Sequence, residues 1–311
     1  MSPWVLRGLR EGVVTTRWPA RPDPYADGWR GPAVPAVGAG SGDDGGGRGA
    51  GLVALCPTAA ITTGADGALT VDQGRCVLAG RCVRERPDLF AWSAGIGSAA
   101  LTRDALVVPE RDGTEAELAA VRAALARRTT ALRRSVHLRH VDAGSDGSEE
   151  QEIAALLNPV YDIGRLGMFF TASPRHADVL LVTGAGAHGM AEPLRRTYDG
   201  MPEPKVVIAV GTDAVSGGLH GGVARDGQRL DDPDGSYATS GGIGAIVPVD
   251  VWVPGAPPPP LAILHALLLA LGRLPPGGLP AGRLSPGGLP AGGLPAGGLP
   301  PGGLPAPGGD Q

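Results

Sequence analysis

Three cysteines and three carboxylates are the side chains of this 311-residue sequence whose types and spacing invite chemistry. Cys56, Cys76 and Cys82 are too few and too unevenly spread for a disulfide scaffold. As thiolates they would be soft ligands, the kind that iron–sulfur clusters require. Asp146 and Glu149 stand three residues apart after the apolar run 136–141, and Asp213 follows the run 205–210. Carboxylates are hard donors that suit divalent cations, and when brought together they repel unless a proton, cation or basic group offsets them. The histidines 137, 140, 176, 188, 220 and 265 lack ligand-like grouping, and no nucleophile triad or phosphate loop is present. Gly184-Ala185-Gly186 after a strand is only half of a dinucleotide fingerprint.

Positioning these groups calls for two different units. From residue 135 the pattern is α/β. Residues 136–141 alternate as a strand, 166–170 is a short apolar run, and 178–183 and 205–210 are continuous apolar runs, as in strands covered on both faces. Residues 190–198 fit a crossover helix, so the sheet is expected to be parallel, with ligands beyond the carboxyl ends of its strands. Gly184 and Gly211 follow the two best strands and mark that edge. Upstream, Thr114 and Glu117 have capping-box spacing for a connecting helix over 101–134, with Leu118, Val121, Leu125 and Leu132 on one face. Residues 52–100 form a small cysteine-bearing unit. Residues 1–51 read as an N-terminal segment with a short helix or strand, then a Pro/Gly-rich flexible connection.

Composition sets further bounds. The sequence has 52 glycines and 31 prolines, aromatics are only 4%, and a net charge of −4 is too small to imply nucleic acid or an anionic membrane as partner, with no strongly basic face standing out. No secretory signal is visible, and the longest apolar run, 261–271, is about half of the ~20 residues of a spanning helix. Residues 224–235 are an Asp-rich insert without calcium-loop spacing and read as a solvated hairpin tip. From Leu274 a Leu-Pro-Ala/Pro-Gly-Gly repeat runs to the end; Pro and Gly deny it helix and sheet, so 274–311 is expected to be a disordered tail.

The cysteine unit resembles a bacterial ferredoxin that has lost ligands. Ferredoxins place cysteines as C-x₂-C-x₂-C-x₃-C-P twice, the fourth of each run serving the other cluster. Cys76 and Cys82 keep first and third slots of one run, while Ala79 and Arg86 fill the second and fourth ahead of Pro87. Cys56, before Pro57, resembles the end of the other run, whose earlier slots are Gly46, Gly49 and Leu52. One cluster has thus lost every ligand, and the other lacks only the one at Ala79. Three reduced, inert cysteines are the expected state, with a residual three-thiolate iron–sulfur cluster as the alternative.

Residues 130–272 resemble the small subunit of group 4 [NiFe] hydrogenases of the formate hydrogenlyase type and the B subunit of NADH-quinone oxidoreductase. The resemblance is carried by His140-Val141-Asp142-Ala143-Gly144-Ser145, Pro159-Val160-Tyr161-Asp162, Arg165-Leu166-Gly167 and Ser173-Pro174-Arg175-His176-Ala177-Asp178. It continues through Pro202-Glu203-Pro204-Lys205, Ser216-Gly217-Gly218 and the stretch from Ile246 to Gly255. It implies a flavodoxin-like parallel sheet, preceded here by a degenerate ferredoxin-like α+β unit. In the family four loop cysteines hold a proximal [4Fe–4S] cluster between a large subunit and a ferredoxin chain. At the matching positions this sequence has Asp146, Glu149, Asp213 and Ala256; three carboxylates and a methyl are not the donors such a cluster takes.

Three functions follow as expectations. The first is a cluster-less structural subunit that docks a large-subunit homologue in a hydrogenase- or complex I-like assembly, with no cofactor of its own. The second is an electron-transfer subunit using a residual cluster at Cys56, Cys76 and Cys82. The third is a repurposed module binding a hard metal at Asp146, Glu149 and Asp213, where Ala256 cannot ligate. The resemblance implies a cytoplasmic location, with a membrane arm among the partners and the chain peripheral on the cytoplasmic face.

Overall fold

The small unit comes first along the chain, and the computed structural model describes residues 3–21, 23, 28–36, 48–64, 68–109, 114–132, 135–221 and 236–274. Its elements are α1 (Pro3–Glu11), β1 (Arg30–Pro35), α2 (Arg48–Val53), β2 (Ile61–Thr63), β3 (Leu69–Asp72), α3 (Arg81–Glu85), β4 (Phe90–Ala94) and β5 (Val107–Val108). β1 and β4 pair antiparallel, and β2, β3 and β5 make a second antiparallel sheet in the order β2-β3-β5. Ile61, Leu69, Val71 and Phe90 are its core, with Cys56 and Cys82 packed against them.

Two segments differ from their sequence reading. The Pro/Gly-rich stretch expected to be a flexible connection contributes β1. A Cβ at Gly31 would stand 2.3 Å from Ser93 Oγ, so a larger residue there would require the Ser93 hydroxyl on β4 to turn away. Residues just past 100, assigned to a connecting helix, first supply β5: Val107 and Val108 are β-branched and complete the edge of β3. The Gly46 slot, the Asp-rich insert 224–235 and the repeat from 275 onward lie outside the described residues.

The helix α4 (Thr114–Arg128) presents Leu118, Val121 and Leu125 to the core as its pattern predicts. It tightens into a 3₁₀ turn, Thr129–Leu132, where Thr129 Oγ1 donates to Leu125 O at 3.0 Å and Thr130 Oγ1 to Ala126 O at 2.8 Å. Then follow β6 (Val136–Asp142), α5 (Ser148–Ala155), β7 (Met168–Phe170), β8 (Val179–Thr183), α6 (His188–Asp199), β9 (Val206–Val210), α7 (Thr212–Ser216), β10 (Val251–Val253) and α8 (Pro260–Ala270). All five strands are parallel in the order β7-β6-β8-β9-β10. Counted within the sheet this is 2-1-3-4-5, the flavodoxin-like order, whose switch point lies between β6 and β8.

Alternation along each strand divides the core in two. Val136, Leu138, Val179, Leu181, Val206, Ile208, Val210, Val251 and Val253 face one side, with Leu125, Ile153, Leu156 and the buried helix α8. Val141, Leu180, Val182, Val207 and Ala209 face the other, with Leu194, Ala214 and Val215. Each such side chain withdrawn from water contributes about 1.5–3 kcal/mol, which is why both faces are covered. Two aspartates set the register. Asp178, just before β8, accepts the N–H of His137 on β6 at 2.7 Å, and Asp250, just before β10, accepts that of Val207 on β9 at 2.9 Å.

The N-terminal segment is rooted in this core. Trp18 is fully buried beside His265 of α8, their ring centroids 6.5 Å apart. Arg165 Nη2 donates to Trp18 O at 2.5 Å, and Thr16 N to Val160 O at 2.8 Å. Replacing Trp18 by alanine leaves a cavity that the packed helix cannot close. We expect W18A to lose about 3 kcal/mol in urea denaturation and to expose residues 3–21 to proteolysis.

Candidate functional site

Loops at the carboxyl ends of β6, β8, β9 and β10 gather on one edge of the sheet, and glycines let them approach. A Cβ on Gly184, after β8, would lie 2.5 Å from Gly144 C and 2.6 Å from Ser145 N of the loop after β6. Gly184 also has φ +84, so the position is closed to other residues by backbone conformation as well. The loop after β9 is bound to that after β10: Gly211 N donates to Val253 O at 2.9 Å and Thr212 N to Gly255 O at 2.7 Å.

Thr212 joins three loops. Its fully buried hydroxyl accepts from Gly255 N at 3.1 Å and donates to Cys76 O at 3.1 Å, reaching into the cysteine unit. Nearby, Arg103 grips Asp72 with two bonds of 2.8 and 2.6 Å. The small unit therefore sits directly against the third of the four sequence-matched positions.

The carboxylates take three different environments. Asp146 is exposed and turned onto its own loop, accepting from Ser148 N at 2.9 Å and Ser148 Oγ at 2.6 Å; these bonds hold its carboxyl below the usual range. Glu149, in the first turn of α5, is only 2% exposed. Its carboxylate lies under Gly211, where a Cβ would stand 2.4 Å from Oε1, and its Oε2 is 3.1 Å from Ser148 Oγ. Burial, with Asp213 and Asp146 nearby, pushes the Glu149 carboxyl up to about 7. Asp213 is half-buried; burial raises its carboxyl, His220 opposes the rise and Asp146 adds to it. Gly218 makes room for this side chain, since a Cβ there would meet Asp213 Oδ1 at 1.7 Å. Ala256, at the fourth position, offers a methyl.

The structure brings Glu149, Asp213 and Asp146 within electrostatic reach but does not turn them toward a common point. Among the described residues no group of three or more His, Cys, Asp or Glu side chains stands close enough to hold a metal ion. The donor set does not fit a [4Fe–4S] cluster: the oxygens are hard and one position has no donor. The space beneath Gly211 is taken by the Glu149 carboxylate itself.

The three cysteines form no disulfide with one another. Cys56 Sγ accepts from Ala60 N at 3.2 Å and Cys76 Sγ from Ala33 N at 3.5 Å. Burial pushes the Cys76 and Cys82 thiols up, with Cys56 adding to both, which favours the neutral thiol over the nucleophilic or metal-binding thiolate.

One polar network was not evident from the sequence. At the switch point His140 Nε2 lies 3.0 Å from Thr183 Oγ1 and 3.5 Å from Glu150 Oε1; Thr183 Oγ1 also donates to Glu150 Oε1, and Ser145 Oγ donates to Glu150 Oε2 at 2.8 Å. Burial lowers the His140 pKa, opposed by Glu150 and Asp142. The adjacent pair Glu149 and Glu150 was the available signal: consecutive helical positions point apart, so one carboxylate goes beneath β9 and the other to β8.

Residues 147–270 match the family model described as NADH ubiquinone oxidoreductase, 20 kDa subunit. The chain is 37% identical over 172 residues to formate hydrogenlyase subunit 7 of Escherichia coli, covering 55% of this chain and 61% of that protein. It is 40% identical over 141 residues to a probable membrane-bound hydrogenase subunit of Pyrococcus furiosus, covering 45% of this chain and 77% of the relative. Among solved structures, a chain of the archaeal membrane-bound sulfane sulfur reductase aligns at 26% identity with a TM-score of 0.37, over 47% of this chain and 74% of its own length.

Two substitutions probe the edge. Thr212→Val keeps the shape and removes the hydroxyl, leaving Cys76 C=O and Gly255 N–H unpaired. A loss of about 2 kcal/mol in chemical denaturation is expected, together with easier proteolysis between the cysteine unit and the sheet. For Glu149 the folded-state pKa is raised from 4.5 to about 7, so the folded protein holds this proton more tightly than the unfolded one. Its contribution is full below the unfolded value and is lost as pH rises through about 7. Glu149→Gln should therefore stabilise the fold above neutrality, by up to roughly 3 kcal/mol, and leave it little changed near pH 4. Denaturation midpoints across pH read this directly; equal pH dependence in both proteins would count against the buried carboxylate.

Proposed function

The chain belongs to the NADH ubiquinone oxidoreductase 20 kDa subunit family, and from that premise we propose that it is a structural subunit of a hydrogenase- or complex I-like assembly. In this reading it docks a large-subunit homologue through the loops beyond β6, β8, β9 and β10 and passes no electrons there. The observation that carries it is the Glu149 carboxylate buried beneath Gly211. A side chain fills the space between the loops, and glycines at 184, 211 and 218 keep the loops closed around it. The loops are thus maintained as a shaped surface while the soft ligands of a relay are gone.

The family's surroundings support the partner class. The relatives are subunits of formate hydrogenlyase and of a probable membrane-bound hydrogenase, which supports a membrane arm among the partners of this chain in the same reading. Among the described residues no helix is long and apolar enough to cross a membrane. Any attachment of these residues to that arm is then peripheral, by contact.

The test has two parts. Tagged full chain, co-expressed with a large-subunit homologue from the same source, is expected to retain that partner through affinity purification and gel filtration. Charge reversal at the exposed Asp146 together with the half-buried Asp213 (D146K/D213K) should weaken the complex at least tenfold, about 1.4 kcal/mol or more. Ultraviolet–visible and EPR spectra after anaerobic purification should show no iron–sulfur signal; a signal lost in Cys76→Ser would instead establish electron transfer through Cys56, Cys76 and Cys82.

A further inference from the structure

The N-terminal helix α1 is built unlike the rest of the surface. Its sequence is Pro-Trp-Val-Leu-Arg-Gly-Leu-Arg-Glu, and at 100° per residue Val5, Leu6 and Leu9 fall on one arc while Arg7, Arg10 and Glu11 fall on the opposite one. Trp4 falls beside Glu11, on the polar side. Most of the apolar arc is not covered by the protein: Leu9 is 73% and Leu6 54% exposed, while Val5 is half-buried. Val13, at 81% exposure, and Val14 extend the apolar surface beyond the helix, and Leu157 and Val160 lie in the turn to which this segment is tied.

A helix of nine residues does not hold in water by its own hydrogen bonds, and an uncovered apolar face gives it no tertiary support. Its root, however, is fixed. Thr15 Oγ1 donates to Pro159 O at 2.7 Å, Thr16 N to Val160 O at 2.8 Å, and Trp18 is locked in the core. The fold thus presents this amphipathic segment at a set place on its surface. Charge narrows what covers it. Residues 3–21 carry Arg7, Arg10, Arg17 and Arg21 against the single acid Glu11, a net charge of +3 in a chain whose total is −4. All four arginines are exposed, and Arg7 is paired with Glu11 at 2.7 Å.

We infer that α1 and the residues following it, through Val14, lie in the headgroup region of an anionic lipid bilayer, with Val5, Leu6, Leu9 and Val13 toward the acyl chains and the arginines toward lipid phosphates. Segregated apolar and basic faces are the features of helices that lie in an interface. The net charge of +3 on residues 3–21 is complementary to lipid phosphates. This inference rests on the membrane-side location in the reading above and adds to it the element and the lipid chemistry. It does not require the large subunit.

Sedimentation of the full chain with vesicles tests it. Binding is expected to phosphatidylcholine vesicles containing phosphatidylglycerol, with little to phosphatidylcholine alone, and it should weaken as salt rises. Leu9→Glu and, as a milder change, Arg10→Gln should each reduce binding, the arginine roughly fivefold. Both residues are exposed, and unchanged denaturation midpoints will show the fold intact. Equal binding to neutral vesicles, no binding at all, or variants that bind as the parent does would overturn the inference. So would cross-linking of α1 to a protein subunit in a chain that ignores vesicles. Retention of the large subunit is scored separately, so either idea fails without the other.

Discussion

The hydroxyl of Thr212 is the point on which the arrangement at the sheet edge depends. It accepts from Gly255 N and donates to Cys76 O, so one buried side chain ties the loops after β9 and β10 to the cysteine unit. Neither partner group has access to water at that depth, and each would cost about 1–3 kcal/mol if left unpaired. A parallel sheet brings its loops together at one edge by topology alone. Their spacing there is decided by a few backbone hydrogen bonds and by glycines that permit contact closer than any side chain would allow.

Within that frame the acids separate by environment. Asp146 is satisfied by Ser148 and stays in solvent, whereas Glu149 is drawn beneath Gly211 and resists ionisation. Asp213 lies between these extremes. Three like charges so near one another would strain the edge if all were fully ionised, and burial of one of them lowers that repulsion by favouring its neutral form. The same burial fills the space between the loops. The loops themselves are held by packing and hydrogen bonds.

At the opposite end of the sequence, Trp18 joins the N-terminal segment to α8, and the backbone of Thr16 joins it to the turn near Val160. The chain spends a large aromatic residue on the root and leaves Trp4, Leu9 and Val13 uncovered beyond it. A rigid root beside an uncovered apolar helix is the arrangement expected of a segment whose counterpart is another surface.

Much of the sheet was legible from residue types. Runs such as 178–183 and 205–210 are apolar throughout because their strands are covered on both faces, and their order implied parallel pairing. The face of α4 read correctly because Leu118, Val121 and Leu125 repeat at helical spacing. The strand Arg30–Pro35 was not legible, since Pro and Gly signal a loop and its pairing with Phe90–Ala94 is a long-range event. The edge strand Val107–Val108 was missed because two residues carry no period. The sequence by itself determined the family and the hard character of the carboxylate oxygens at Asp146, Glu149 and Asp213. Only the tertiary structure decided that Glu149 goes inside while Asp146 stays out, that Glu150 joins His140 and Thr183, and that Thr212 reaches Cys76. Those outcomes depend on which backbone passes overhead and how closely, and local sequence carries no record of a neighbour brought in from more than sixty residues away, as Gly211 is to Glu149.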